Sequence, residues 1–142
     1  MQWGIDQEPR SKMAYEAATG AILEPCGFVK HHTLHWVGCS PDGLIGDEGG
    51  FESKSPYNSR YHLETVIAKD MPAEHMAQVQ GGMWITGRAY WDFQSYDPRL
   101  PAHLNRFCKR IVRDDAYIKI LEDEIIKFCA EVETTVKSLV PA

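Results

Sequence analysis

Asp42, Glu52 and Lys54 have the side-chain types and the spacing needed to activate water against a phosphodiester bond. Asp42 lies in a Pro-Asp-Gly turn, and the strand-like segment GGFESKS carries Glu52 and Lys54. Alternate residues of a strand share a face, so Ser53 points away and offers only its backbone carbonyl. Two carboxylates can bind Mg²⁺, and an adjacent ammonium can orient the attacking water. The same pattern also occurs in surface hairpins whose side chains only face water, so these residues alone leave both interpretations open.

Composition limits the classes of protein that this chain can represent. A length of 142 residues predicts one domain. The sequence has no apolar run of bilayer length, and its charged N-terminus does not resemble a signal peptide. The four cysteines lack CxxC spacing, which is typical of reduced thiols. A net charge of -5 argues weakly against a DNA-binding protein, although a nuclease site is itself acidic and a basic cluster is present at Lys109, Arg110 and Arg113.

The elements that would position these residues alternate between helix and strand. The first helix is predicted over residues 6–19, with Pro9 in its first turn and Gly20 at its C-terminus. Residues 27–39 predict two short strands or one bent strand, and GGFESKS predicts the next strand. The remaining elements are helices over about 60–69, 72–87 and 115–139, and strands over 89–96 and 104–112. This order predicts an α/β fold with a mixed central sheet flanked by helices.

Two groups of side chains have alternative interpretations. His31 and His35 share a face if their segment is a strand, but their spacing fits no zinc module, so we expect strand-surface histidines. Aromatic residues on the predicted strand 89–96 could stack on bases. Alternation on a central strand favours core packing for this set, which comprises Tyr90, Trp91, Phe93 and Tyr96.

Several motifs in order resemble a known family over nearly the whole chain. They are WG…QEP…YE…TG (3–20), SPDGL (40–44), ESKSP (52–56), MAQVQ..MW.TG (76–87) and WxFxxYDPR (91–99). The sequence resembles the lambda-exonuclease type of phage recombination nuclease, the YqaJ-like viral recombinase family of the PD-(D/E)xK superfamily. This resemblance implies a restriction-endonuclease-like core and a Mg²⁺-dependent exonuclease, with Mn²⁺ as a substitute, that digests one strand of duplex DNA from its 5′ end.

The resemblance also implies a role for each site residue. Asp42 is the acid shared between metals, and Glu52 with the backbone carbonyl of Ser53 completes the first metal site. Lys54 orients the attacking water. Two further residues are Glu8, a third carboxylate facing the second metal, and Gln78, which is grouped with the catalytic residues Asp42, Glu52 and Lys54 and lies beside the catalytic centre. Without the resemblance, Glu8 is an ordinary acidic residue near a helix N-terminus, and Gln78 is no better a candidate than Gln80.

The resemblance further implies partners and a location. The expected partners are double-stranded DNA ends, other copies of the chain in a ring of three, and a phage single-strand annealing protein, without a membrane. The expected location is the cytoplasm of a bacterial host, from a phage or prophage gene. Family members have an N-terminal region ahead of the WG…QEP segment, so residues 1–142 are expected to be one nuclease domain truncated at its N-terminus. Two alternatives remain: an endonuclease of the same fold, and an inactive truncated module that binds DNA or sibling subunits.

Overall fold

The architecture is a four-stranded mixed sheet with helices on both faces. The computed structural model describes residues 1–141. Its elements are α1 (Gln2–Thr19), β1 (Val29–Lys30), β2 (Gly38–Cys39), β3 (Gly43–Ile45), β4 (Gly49–Lys54), α2 (Ser59–Ala68), a 3₁₀ turn (Ala73–His75), α3 (Met76–Thr86), β5 (Tyr90–Tyr96), β6 (Arg106–Val112) and α4 (Asp115–Leu139). The sheet order is β3-β4-β5-β6; β4 and β5 are parallel and the other pairs are antiparallel. The predicted α/β fold class, a mixed sheet flanked by helices, is therefore confirmed.

Helix α1 begins earlier than predicted. It starts at Gln2, so Pro9 lies in the helix interior and the prediction of a first-turn proline is wrong. Pro9 has no N–H to donate to the carbonyl of Ile5, and the helix continues past it without that hydrogen bond. Ser11 and Tyr15 are both buried on the side of α1 that faces the sheet. The predicted C-terminus is confirmed, because Gly20 adopts φ 72° and its N–H donates to the carbonyl of Glu16.

The segment between α1 and β3 contains less strand than predicted. β1 and β2 form a two-residue antiparallel pair, which confirms two short strands. His31 and His35 lie in the connection between them, so they do not share a strand face. The His31 ring is buried against Trp84, with ring centroids 4.6 Å apart. Strand β3 was not predicted, because its three residues are too short to show a period of two.

The two faces of the sheet pack against different helices. On one face, Tyr15 of α1 packs on Phe51, with ring centroids 4.6 Å apart, and its hydroxyl donates to Asp92 at 2.6 Å. On the other face, the α3 residues Val79 and Met83 form a core cluster with strand residues that include Trp91 and Phe93. Trp91, Phe93 and Tyr96 are buried, which confirms core packing for these aromatics, whereas Tyr90 is half-buried under the guanidinium of Arg110.

Strand β4 can lie close to β5 because it begins with two glycines. A Cβ on Gly50 would lie 2.3 Å from the Trp91 ring, and one on Gly49 would lie 2.4 Å from the Tyr90 ring. Any larger residue would therefore displace the strand that carries Glu52.

Helix α4 has the predicted bounds, and only its first half packs on the core. Asp114 caps it by accepting from the backbone N–H of Tyr117 at 3.0 Å. Ile118 is buried beside Trp84 in one apolar cluster, whereas Phe128 is 64% exposed. None of the described helices has the length and apolarity that crossing a bilayer requires.

The predicted basic cluster lies on β6 and on the residue that follows this strand, and its side chains bind other groups of the protein. Lys109 pairs with Asp70, and Arg110 makes two hydrogen bonds to Asp92. Arg113 donates to Asp115 and to the carbonyl of Met83. These cations neutralise neighbouring carboxylates and do not form a free patch for phosphate.

The carboxylate of Asp97 links the residue after β5 to the start of α2. Asp97→Ala removes the hydrogen bonds of this buried carboxylate, so we expect it to lower the free energy of unfolding by roughly 2–3 kcal/mol. Its fully buried carboxylate accepts from Ser59 at 2.6 Å and from Arg99 at 2.8 and 2.9 Å. Burial raises the pKa of Asp97, but the bonds from Arg99 and Ser59 outweigh that effect and lower the pKa from 3.8 to about 2. The stability that the charged Asp97 carboxylate gives to the fold is therefore present above pH 3.8 and is lost as the pH falls towards 2.

Urea denaturation of the parent and of Asp97→Ala at pH 7 and pH 2.5 measures the stability that Asp97 contributes. Asp47→Ala is the control, because Asp47 is exposed in the β3–β4 turn. An Asp97→Ala protein as stable as the Asp47→Ala protein at pH 7 would contradict the prediction.

Candidate active site

Asp42 lies beside the edge of β4, immediately before β3. Its N–H donates to the carbonyl of Phe51 at 3.2 Å, and its Oδ2 accepts from the N–H of Ser53 at 2.8 Å. In an antiparallel pair the N–H and C=O of one residue point to the same neighbour. The Ser53 carbonyl therefore faces the side of β4 on which Asp42 lies.

Glu52 and Lys54 share the face of β4 that points towards α3. The ammonium of Lys54 lies 2.7 Å from Glu52 Oε1, and Gln78 Nε2 donates to the same oxygen at 2.7 Å. The structure also separates the two glutamines that the sequence left equivalent. Gln80 donates to the carbonyl of Val112 and accepts from the N–H of Asp114, so it anchors α3 away from Glu52.

Glu8 reaches the same region from α1. It lies in the middle of the helix, so the interpretation of Glu8 as a residue near the helix N-terminus is wrong. Its Oε1 accepts from Lys12 at 2.5 Å, one helical turn later. Glu8 is also close enough to Asp42 to raise the pKa of that carboxyl.

An open cleft of about 860 Å³ brings the predicted acids and Lys54 together, whereas Gln78 lines a neighbouring cavity that also contains Glu52. Glu8, Asp42, Glu52, Ser53 and Lys54 all contribute to the wall of the open cleft. The opposite wall comes from α2 and the segment before α3: Tyr61, Glu64, Thr65, Ala68, Asp70, Met71, Pro72, Glu74 and His75. The sequence predicted the first group, and the topology brings its members together from three separate segments.

The two central carboxyls bind protons more tightly than usual. Burial, and then the charge of Asp42, raise the pKa of Glu52 to about 7, against the opposing effects of Lys54 and Gln78. Burial also raises the pKa of Asp42, with a further contribution from Glu8. Carboxylates crowded into a poorly hydrated site repel one another, and a cation bound between them would relieve that repulsion.

The residues present fit a hard divalent cation. The recorded hydrogen bonds engage only Oδ2 of Asp42 and Oε1 of Glu52, so within residues 1–141 the second oxygen of each carboxylate is available as a ligand. Carboxylate and carbonyl oxygens are the ligands that Mg²⁺ and Mn²⁺ prefer. Among the described residues, however, no three His, Cys, Asp or Glu side chains already converge as a preformed metal cage. Glu8 is held by Lys12 and would have to turn towards the ion.

Sequence reasoning missed several side chains that surround these acids. Lys12 pairs with Glu8, and its signal was the i,i+4 spacing. His75, the last residue of the 3₁₀ turn before α3, lines the cleft. Phe93 lies under His75 and pairs in register with Glu52 on the neighbouring strand, which only the sheet topology reveals.

Glu52 is expected to make the stability of the metal-free protein depend on pH. Its pKa is 4.5 in the unfolded reference and about 7 in the fold, so the folded state binds the extra proton between these values. Stability conferred by the protonated form is therefore lost as the pH rises from about 4.5 to about 7. Glu52→Gln should be more stable than the parent at pH 8 and similar to it at pH 4.5.

Urea denaturation in EDTA measures this difference, and Glu48→Gln is the control because Glu48 is exposed. Added Mg²⁺ at pH 8 should stabilise the parent more than Glu52→Gln. The prediction fails if the parent and Glu52→Gln have parallel stability curves across this pH range.

The sheet, and the acidic site carried by β4, define a domain of the restriction-endonuclease-like class. Residues 1–89 match the family model of the YqaJ-like viral recombinase domain. The chain belongs to this family, as its motifs predicted.

Solved structures of other proteins share the architecture of this chain. The chain is similar to the alkaline exonuclease LHK-Exo of Laribacter hongkongensis, with 42% identity and a TM-score of 0.94 over 98% of this chain and 71% of that one. A structure of LHK-Exo with dAMP matches equally well. The phage-related exonuclease of Haemophilus somnus 129PT shares the fold, with 12% identity and a TM-score of 0.82 over 98% of this chain and 73% of that one. A search of curated protein sequences found no match to this chain.

Proposed function

We propose that this protein is a Mg²⁺-dependent DNA exonuclease that digests one strand of duplex DNA from its 5′ end. The observation that carries the proposal is the meeting of Asp42 and Glu52, both with raised pKa values, beside Lys54 in an open cleft. Membership of the recombinase family and the similarity to LHK-Exo support the exonuclease class. The dAMP bound to LHK-Exo is a mononucleotide, the size of product that stepwise removal releases.

Each residue of the site has a distinct task in this proposal. Asp42, Glu52 and the Ser53 carbonyl would hold the first cation, and Glu8 would face a second. When bound, the cation lowers the pKa of water and neutralises charge on the phosphate. Lys54, whose ammonium lies 2.7 Å from the Glu52 carboxylate, would orient the attacking water.

Gln78 acts on Glu52 and has no direct part in the chemistry of this proposal. Its amide holds Glu52 Oε1 from the side of α3, while Lys54 holds the same oxygen from β4. A carboxylate fixed by two donors loses little freedom when it binds a cation. Gln78 is therefore a positioning residue.

The resemblance also leads us to propose partners and a setting. We infer double-stranded DNA ends as the substrate, a ring of three copies as the assembly, and a phage single-strand annealing protein as the recipient of the exposed 3′ strand. The setting is the cytoplasm of a bacterial host. Light scattering of the purified protein tests the assembly, and a mass of one or two copies would contradict it.

Digestion of three DNA substrates in Mg²⁺ or EDTA tests the proposed activity. The substrates are closed circular duplex, linear duplex labelled at the 5′ ends and linear duplex labelled at the 3′ ends. We expect Mg²⁺-dependent release of mononucleotides from the 5′-labelled duplex and no cleavage of the circle. Cleavage of the circle would favour the endonuclease of the same fold. DNA binding without any cleavage would favour the inactive module.

A further inference from the structure

His75 lies over the same face of the sheet as the central acids. Its ring stacks on Phe93 with centroids 5.4 Å apart and an interplanar angle of 24°. Phe93 pairs in register with Glu52 across the parallel strands β4 and β5, so their side chains lie side by side. The His75 side chain keeps 21% of its surface exposed, and it lines the cleft that contains Glu52 and Lys54.

The ring nitrogens of His75 are available to a ligand. Glu74 Oε1 lies 3.7 Å from Nε2, which is beyond hydrogen-bond distance, and no other partner of either nitrogen is recorded within residues 1–141. Burial, and then the charge of Lys54, lower the pKa of His75. A neutral imidazole has one N–H donor and one acceptor nitrogen.

The charge of the cleft restricts where a phosphate can lie. Six carboxylates line it: Glu8, Asp42, Glu52, Glu64, Asp70 and Glu74. Lys54 is the one lysine or arginine among the described lining residues, and His75 is close enough to feel its charge. Three of these carboxylates are paired with cations that do not line the cleft: Glu8 with Lys12, Glu64 with Arg60 and Asp70 with Lys109. The other acids repel a phosphodiester, so its favourable position is beside Lys54 and within reach of His75.

We propose that His75 contacts the DNA substrate, donating a hydrogen bond from its imidazole to a non-bridging phosphate oxygen bound beside Lys54. The stack on Phe93 restricts the plane of the ring, and the N–H of the imidazole lies in that plane. This inference rests on the proposed function and adds a substrate-binding residue to it.

Two substitutions separate the ring from its hydrogen bond. His75→Phe keeps a flat ring on Phe93 and removes both nitrogens, whereas His75→Gln keeps an amide donor. We expect His75→Phe to raise KM for linear duplex DNA roughly tenfold, the scale of one hydrogen bond to a charged group, and to change kcat less. His75→Gln should recover most of the lost affinity. His103→Gln is the control, because His103 is exposed in the β5–β6 connection and does not line the cleft.

Two further measurements exclude a purely structural role and separate this inference from the proposed activity. Mn²⁺ titration by calorimetry and thermal unfolding should be the same for His75→Phe and the parent. Anisotropy of labelled duplex DNA, measured in Ca²⁺, should show weaker binding by His75→Phe even if the parent cleaves nothing. The assignment would be overturned if His75→Phe bound DNA as tightly as the parent. It would also be overturned if weaker DNA binding came with a lower unfolding temperature, because the loss would then reflect a damaged fold. If the parent binds DNA more tightly than His75→Phe but cleaves none, the proposed activity is contradicted and the role of His75 is retained.

Discussion

Asp42→Asn is expected to lower Mg²⁺-dependent digestion of linear duplex DNA by at least ~10³-fold, the upper range for removal of one preorganised electrostatic group. The substitution keeps the size of the side chain and its ability to accept from the Ser53 N–H. It removes a negative charge that lies close to both Glu8 and Glu52, since the charges of Asp42 and these residues affect one another. An amide oxygen cannot balance the charge of a divalent cation, so metal binding and hydrolysis fail together.

The same substitution should make the metal-free protein more stable. Burial raises the pKa of Asp42, so its charged form is disfavoured in the fold and a neutral isostere removes that cost at pH 8. Initial rates on end-labelled DNA, Mn²⁺ titration and urea denaturation measure the three effects. Asp47→Asn is the matched control, since Asp47 is exposed five positions away in the next turn. Undiminished digestion by Asp42→Asn would remove the proposed mechanism.

Lys54→Met is expected to lower the rate of digestion by ~10²–10³-fold while leaving metal binding intact. Methionine keeps most of the aliphatic stem, so the loss is that of the ammonium. That ammonium lies 2.7 Å from Glu52 Oε1 in a side chain that is 31% exposed to the cleft. Without it, the attacking water loses its orienting donor, whereas the oxygen ligands remain.

Metal affinity distinguishes this variant from Asp42→Asn. We expect Lys54→Met to bind Mn²⁺ at least as tightly as the parent, because a competing cation has left Glu52. Lys127→Met serves as the control, since Lys127 is exposed on α4. If Lys54→Met lost both activity and Mn²⁺ binding, Lys54 would have a structural part in the metal site and not the proposed part in orienting water.

Local sequence signals predicted the elements whose causes are local. Helix α4 was predicted with its correct bounds because Asp114 caps it and its apolar residues recur at the helical period. Strand β4 was predicted from its alternation and its two leading glycines, and both glycines do permit close contact with β5. Glu52 and Lys54 share a face because alternate side chains of a strand point to the same side.

Predictions failed where distant contacts outweigh local preference. Pro9 suggested a helix start, but α1 begins at Gln2, and Trp3 in its first turn contacts Tyr57 and the guanidinium of Arg99. His31 and His35 looked like strand residues, but His31 turns inward and packs against Trp84 with the two rings tilted at 47°. Gln78 and Gln80 were equivalent in sequence, and only the position of α3 across the sheet directs Gln78 to Glu52.

The amino-acid sequence alone determined the chemical groups of this protein, their order along the chain and, through its motifs, the family. It did so because side-chain type and short-range periodicity are properties of neighbouring residues. Only the tertiary structure decided that Glu8 and His75 lie in one cleft with Asp42 and Glu52. That convergence depends on the parallel pairing of β4 with β5 and on helices packed against opposite faces of the sheet. Such contacts join residues far apart in the chain, and their geometry is set by the packing of the whole core.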